Sequence, residues 1–189
     1  MPARVNRMRG PLLSGPLGSA VSITAIERWL AGVGPVVVLG PVWLAETLAA
    51  TTGVVFLDEP DDRRVLSRAR RRADKAGKKL AIGLAGAELP LRRASLGALV
   101  IENVAGLSAE EASRWVEALV PCLRPGGRLV AIDATTSHTA AARVAGVFLS
   151  AVLVEIVQEW PRDGVVLTVG VAPAAAVVEA RFGSADATP

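Results

Sequence analysis

Apolar residues along this chain fall into short unbroken runs, separated by longer stretches with helical spacing. Val36-Val37-Val38-Leu39, Val54-Val55-Phe56-Leu57 and Ala98-Leu99-Val100-Ile101 are such runs, and residues 80–84, with Gly83 inside, and 128–132, headed by Arg128, read as two more strands. A continuous apolar run suits a strand buried on both faces, as in a parallel sheet. The stretches between them predict helices. Residues 22–31 place Ile26, Trp29 and Leu30 on one side, and Gly34-Pro35 stops them. Pro41 opens a helix to residue 50, since its missing N–H costs nothing at a first helical position. Residues 61–76 form a helix with a thin inner face of Val65, Leu66, Ala69 and Ala73, stopped by Gly77. Ser108-Ala109-Glu110-Glu111 is a capping box. The helix it opens turns Ala112, Trp115, Val116 and Leu119 inward, and Pro125-Gly126-Gly127 ends that segment. Residues 139–150 form the last helix. The rhythm then changes: 152–160 and 165–171 read as two strands joined by Pro161-Arg162-Asp163-Gly164, which is hairpin chemistry.

Strand and helix thus alternate five times before a β-hairpin. Alternating units predict an α/β fold, a three-layer sandwich with helices on both faces of a mostly parallel sheet. The chain has 189 residues, 51% of them hydrophobic. That excludes intrinsic disorder and suits one domain with a sizeable core. We expect residues 1–20 to be a flexible tail, 21–173 the domain, and 174–189 an Ala-rich tail.

Charge and rare residues narrow the classes further. The formal net charge is +3, from 21 Lys and Arg against 18 Asp and Glu. A dedicated nucleic-acid binder carries a larger clustered excess. The lone cysteine, Cys122, permits no intramolecular disulfide and is read as structural; Cys122 and His138 form no metal-ligand set. Mean hydropathy is positive, at +0.42. Yet the longest uncharged apolar run, residues 144–154, is short of the roughly 20 residues that a spanning helix needs. Residues 1–20 start with Arg4, Arg7 and Arg9, but Pro11, Gly15, Pro16 and Gly18 interrupt what a signal peptide keeps apolar. We expect no membrane span and a cytoplasmic protein.

Several local segments resemble one family. Leu123-Arg124-Pro125-Gly126-Gly127-Arg128-Leu129-Val130 is similar to the segment before the fifth strand of class I S-adenosylmethionine-dependent methyltransferases. Glu88-Leu89-Pro90-Leu91 with Ser95-Leu96-Gly97-Ala98-Leu99-Val100 resembles their approach to the fourth strand, and Asn103-Val104 with Leu107 the segment after it. The resemblance covers about residues 22–171. It implies a seven-stranded sheet in the order 3-2-1-4-5-7-6 with the last strand antiparallel.

The departures from the family point away from its chemistry. The resemblance implies an acidic residue near the end of the first strand, then a G-x-G-x-G turn whose backbone approaches the cofactor. Here the acidic position is Val38, and Gly40 alone remains before Pro41-Val42-Trp43, with Trp43 expected to fill the vacated space. The ribose contact at the end of the second strand persists as Asp58 or Glu59, which a helix N-terminal role would equally explain. The adenine contact after the third strand has no aspartate, Glu88 being a late substitute, and Gly97 stands where the fourth-strand motif has Asp. The implied cofactor residues are therefore Gly40, Asp58, Glu59, Glu88 and Asn103. We expect a methyltransferase-like domain that has lost S-adenosylmethionine, binds no cofactor and serves a non-catalytic protein interaction or regulatory role. The alternative is an active methyltransferase with a divergent cofactor loop.

Other candidates remain outside that pattern. Glu102, Asn103 and Asp133 end apolar strands, where open α/β sheets place their sites. No catalytic residue is assigned; His138 as a general base lacks an identifiable partner. The basic run Arg63, Arg64, Arg68, Arg70, Arg71, Arg72, Lys75, Lys78 and Lys79 suits a solvated helix face. Nucleic acid or an acidic partner is a third reading of it, not favoured because no aromatic interleaves for base stacking. The hydrophobic hairpin offers an edge on which a second copy could pair.

Overall fold

A computed structural model describes residues 20–40, 42–49, 54–57, 67, 71, 74–75, 77, 81–83 and 91–174. The two expected tails lie almost wholly outside the described residues, as does most of the 61–76 helix. Of that helix, Ser67, Arg71, Asp74 and Lys75 are helical and exposed. Gly77 adopts φ +65°, and its N–H donates to the Asp74 carbonyl, the left-handed stop that glycine favours.

The order is α1 (Ala20–Leu30), β1 (Val36–Leu39), α2 (Val42–Ala49), β2 (Val54–Leu57), β3 (Ala81–Gly83) and β4 (Leu96–Glu102). A 3-10 turn (Val104–Gly106), α3 (Ala109–Leu119), a second 3-10 turn (Val120–Cys122), β5 (Leu123–Ala134), α4 (His138–Ser150), β6 (Val154–Arg162) and β7 (Val165–Val171) follow. The strands form one sheet, β3-β2-β1-β4-β5-β7-β6. β1 pairs in parallel with β2 and β4, and β4 with β5, while β7 runs antiparallel between β5 and β6. Side-chain burial is described for five of them, β1 and β4 to β7.

Each face of the sheet carries its own core, as strand alternation requires. Val36, Val38, Val100, Ile132 and Leu167 point toward α1 and α2 and meet Ile26, Leu30, Leu44 and Leu48. Val37, Leu99, Leu129 and Ala131 point the other way, toward Val116 and Leu119 of α3 and Val147 and Phe148 of α4. Strands buried from both sides need no polar face, which is why their sequence reads as unbroken apolar runs. Trp29 is half-buried beside the first core. Its Nε1 donates to Glu159 Oε2 at 3.1 Å, and the Arg128 guanidinium stands 5.8 Å from the ring centroid.

Several boundaries differ from the sequence expectation. The helix behind the capping box ends at Leu119, not at Pro125-Gly126-Gly127, and β5 already begins at Leu123. A bulge accommodates the Pro-Gly-Gly segment: Leu96 pairs with Leu123 but Ala98 with Arg128. Gly126 takes φ +75°, and a Cβ on Gly127 would crowd the Arg124 and Leu96 carbonyls. β4 starts two residues before its apolar run, at Leu96. The hairpin strand is Val154–Arg162 rather than 152–160, because Val152 turns at φ +65° and the loop shrinks to Asp163-Gly164.

Candidate functional site

Chain reversal locates the crevice. From β1 the sheet grows to β2 and β3 on one side, and to β4 and β5 on the other. Ligands of open α/β sheets bind outside the carboxyl ends of the strands at such a switch point. Gly40 follows β1 there, Glu102 closes β4, Asn103 comes next, and Asp133 is the penultimate residue of β5. The structure therefore brings Gly40, Glu102, Asn103 and Asp133 to one end of the sheet. Asp58, Glu59 and Glu88, and the side chain of Trp43, lie outside the described residues.

Gly40 and Glu102 are neighbours across the β1–β4 pair. A Cβ built on Gly40 would lie 3.4 Å from Glu102 Cβ, 3.6 Å from Glu102 Oε2 and 4.0 Å from Leu44 Cδ2. The register explains the contact. Leu39 pairs with Ile101, so the next residues along, Gly40 and Glu102, sit side by side. Glu102 is half-buried, and burial, with the charge of Asp133 adding to it, raises its carboxyl to about 7.

Asp133 is fully buried and turned to the opposite face of the sheet from Ile132, its inward-pointing predecessor. Its Oδ1 accepts from the Ala105 N–H at 2.6 Å. Arg143 of α4 donates to the carbonyl of the same Ala105. The 3-10 turn after β4 is thus held at its N–H by β5 and at its C=O by α4. The other carboxylate oxygen, Oδ2, has no hydrogen-bond partner among the described residues. Burial pushes the Asp133 carboxyl up to about 6, against the pull of the Ala105 and Val104 N–H groups and of Arg143. Sequence position alone marked Asp133 as a strand-end carboxylate; its bracket on the turn depends on a residue 28 positions away.

Asn103 makes the corner. It adopts φ 60°, ψ 36°, a left-handed conformation that Asn tolerates better than most residues. Its N–H donates to Ile132 O at 2.9 Å, and its carbonyl accepts from Gly106 N at 3.2 Å. The side chain lies against Gly106, where a Cβ would not fit. These contacts give Asn103 a turn-forming role in the described structure.

His138 opens α4 and is exposed, its ring 4.8 Å from that of Trp160. Ser137 caps this helix by accepting from Ala140 N at 3.2 Å. Cys122 is buried between α3 and β5, and burial raises its thiol. Among the described residues no group of three or more His, Cys, Asp or Glu could hold a metal ion. An apolar cleft of about 330 Å³, lined by Ala94, Leu123, Ala151 and Ala172 among others, opens at the opposite end of the sheet from Glu102. None of the described helices is long and apolar enough to cross a membrane.

No protein-family model matches the chain, and no curated protein is similar enough in sequence to count as a relative. Solved structures do match. The S-adenosylmethionine-dependent methyltransferase SibL in its apo form aligns with TM-score 0.63 at 16% identity, over 82% of this chain and 55% of that one. An O-methyltransferase family protein from Burkholderia thailandensis gives TM-score 0.63 at 14% identity, over 82% and 57%. The complex between the Haloferax volcanii Trm112 methyltransferase activator and a methyltransferase gives TM-score 0.55 at 18% identity, over 80% and 90%. The chain spans little more than half the length of the first two. Switch point, helices on both faces and antiparallel terminal hairpin together give this chain the α/β fold of the class I S-adenosylmethionine-dependent methyltransferases.

Proposed function

We propose that the chain is a methyltransferase-like scaffold that does not hold S-adenosylmethionine and acts through a non-catalytic contact with another protein. The observation that carries this reading is the junction of β1 and α2. β1 ends at Leu39 and α2 begins at Val42, so only two residues, Gly40 and Pro41, connect them. Two residues leave little backbone to wrap an amino-acid end, and Pro41 contributes no N–H donor. Glu102 lies in van der Waals contact with the position that a Cβ on Gly40 would take. With Glu102 beside them, the residues present at this junction do not fit the cofactor.

A cytoplasmic setting belongs to the same proposal and suits the single cysteine. An active enzyme with a divergent loop is the competing reading. It draws support from neighbours described as methyltransferases, one of them in a structure titled "PigF with SAH". Calorimetry separates the two. Titration of S-adenosylmethionine and S-adenosylhomocysteine into the folded chain is expected to give no saturable heat up to about 1 mM. Micromolar binding that is lost in Asp58→Ala would establish the enzyme reading instead.

A further inference from the structure

The switch-point crevice departs from a cofactor cradle in three ways, and they are not equal. A two-residue turn shortens the backbone available to a ligand. Pro41 removes one donor, but a helix start has about four N–H groups without intrahelical partners, so the loss is partial. Glu102 differs in kind, because it fills volume. Its Cβ and Oε2 stand at van der Waals distance from the position where a side chain on Gly40 would begin. A glycine at a ligand-binding turn is useful because nothing covers its Cα. Here Glu102, on the neighbouring strand, lies against the position that a Cβ on Gly40 would take.

We infer that the Glu102 side chain closes the switch-point crevice by its bulk, and that it is the decisive barrier to a nucleoside amino-acid ligand at Gly40. This deepens the non-binding reading above and rests on it. The barrier follows from register. Pairing of Leu39 with Ile101 puts residue 102 beside residue 40, and Glu102 shares the face of Ile132, which pairs with it. That is the face packed by α2, from which Leu44 approaches the same point. A smaller residue at 102 would leave the crevice open without altering the turn, the helix or the sheet.

The test is calorimetry with S-adenosylhomocysteine on the full chain, on Glu102→Ala and on Glu102→Gln, with Glu155→Ala as an exposed control on β6. Thermal melts establish that each variant is folded, and Glu102→Ser replaces Glu102→Ala where the latter is unstable. Glu102→Ala is expected to bind about tenfold or more tightly than the limit set by the unaltered chain. Glu102→Gln, which keeps the bulk, and Glu155→Ala are expected to stay silent. A folded Glu102→Ala as silent as the unaltered chain would overturn the inference, and so would equal binding by Glu102→Gln and Glu102→Ala. Binding by the unaltered chain would instead overturn the non-binding reading itself.

Discussion

Two residues carry more of the architecture than their chemistry suggests. Gly97 is the second residue of β4, and a Cβ there would overlap the Val33 carbonyl. Its N–H and that of Ala98 both donate to Pro35 O, at 2.9 and 3.2 Å, so the strand cannot move away. Gly97→Ala should therefore cost about 3 kcal/mol or more, read from the urea midpoint. A loss below about 1 kcal/mol would mean that the 33–35 loop yields. The residue was noticed in the sequence only because the family pattern has Asp there; the close backbone approach that demands glycine is a tertiary fact. Glu102 is the second. It was visible as a strand-end carboxylate, but its seat over Gly40 depends on which strand pairs with β1.

The elements follow local chemistry closely where that chemistry is strong. Ser108 accepts from Glu111 N at 3.3 Å, while Glu111 Oε2 accepts from Ser108 N at 3.1 Å, completing the capping box read from the sequence. The Ser108 hydrogen bonds also hold the Glu111 carboxyl below its ordinary range. Ser108→Ala should lower stability by about 1 kcal/mol, with faster amide exchange confined to the first turn of α3. Uniform acceleration across the helix would contradict a capping role. Element boundaries were less legible. Pro125-Gly126-Gly127 reads as a terminator, but a bulge lets β5 carry it, because Leu123 pairs with Leu96 before the bend. The turn signal was real, and pairing with β4 decided what it interrupts.

At the scale of the molecule, two strand-end carboxyls have the raised carboxyl values found among the described residues. Glu102 and Asp133 have folded values of about 7 and about 6, above the ordinary carboxyl values of 4.5 and 3.8. The folded chain thus holds protons that the unfolded chain has released, so stability falls as pH rises through the folded values. Glu111 and Glu159 are shifted the other way and lose their contributions only in more acidic solution. Between about pH 5 and 8 the melting temperature should therefore decline. Glu102→Gln should flatten that decline and add on the order of 1 kcal/mol at pH 8, after allowance for solvent screening. A melting temperature rising from pH 5 to 8 would show that neither carboxyl is held protonated.

The sequence by itself determined the alternation of buried strands and amphipathic helices, the terminal hairpin, the capping box and the stop at Gly77. Each follows from contacts within a few residues, or from whether a strand meets water. The resemblance to a family supplied an expected sheet order that periodicity cannot give, since a buried run looks the same wherever it stands in a sheet. Tertiary structure alone decided what the strand ends do. Asp133 brackets a turn, Asn103 makes its corner, and Glu102 covers Gly40, because these roles depend on register between strands dozens of residues apart. Local propensity holds no record of that register.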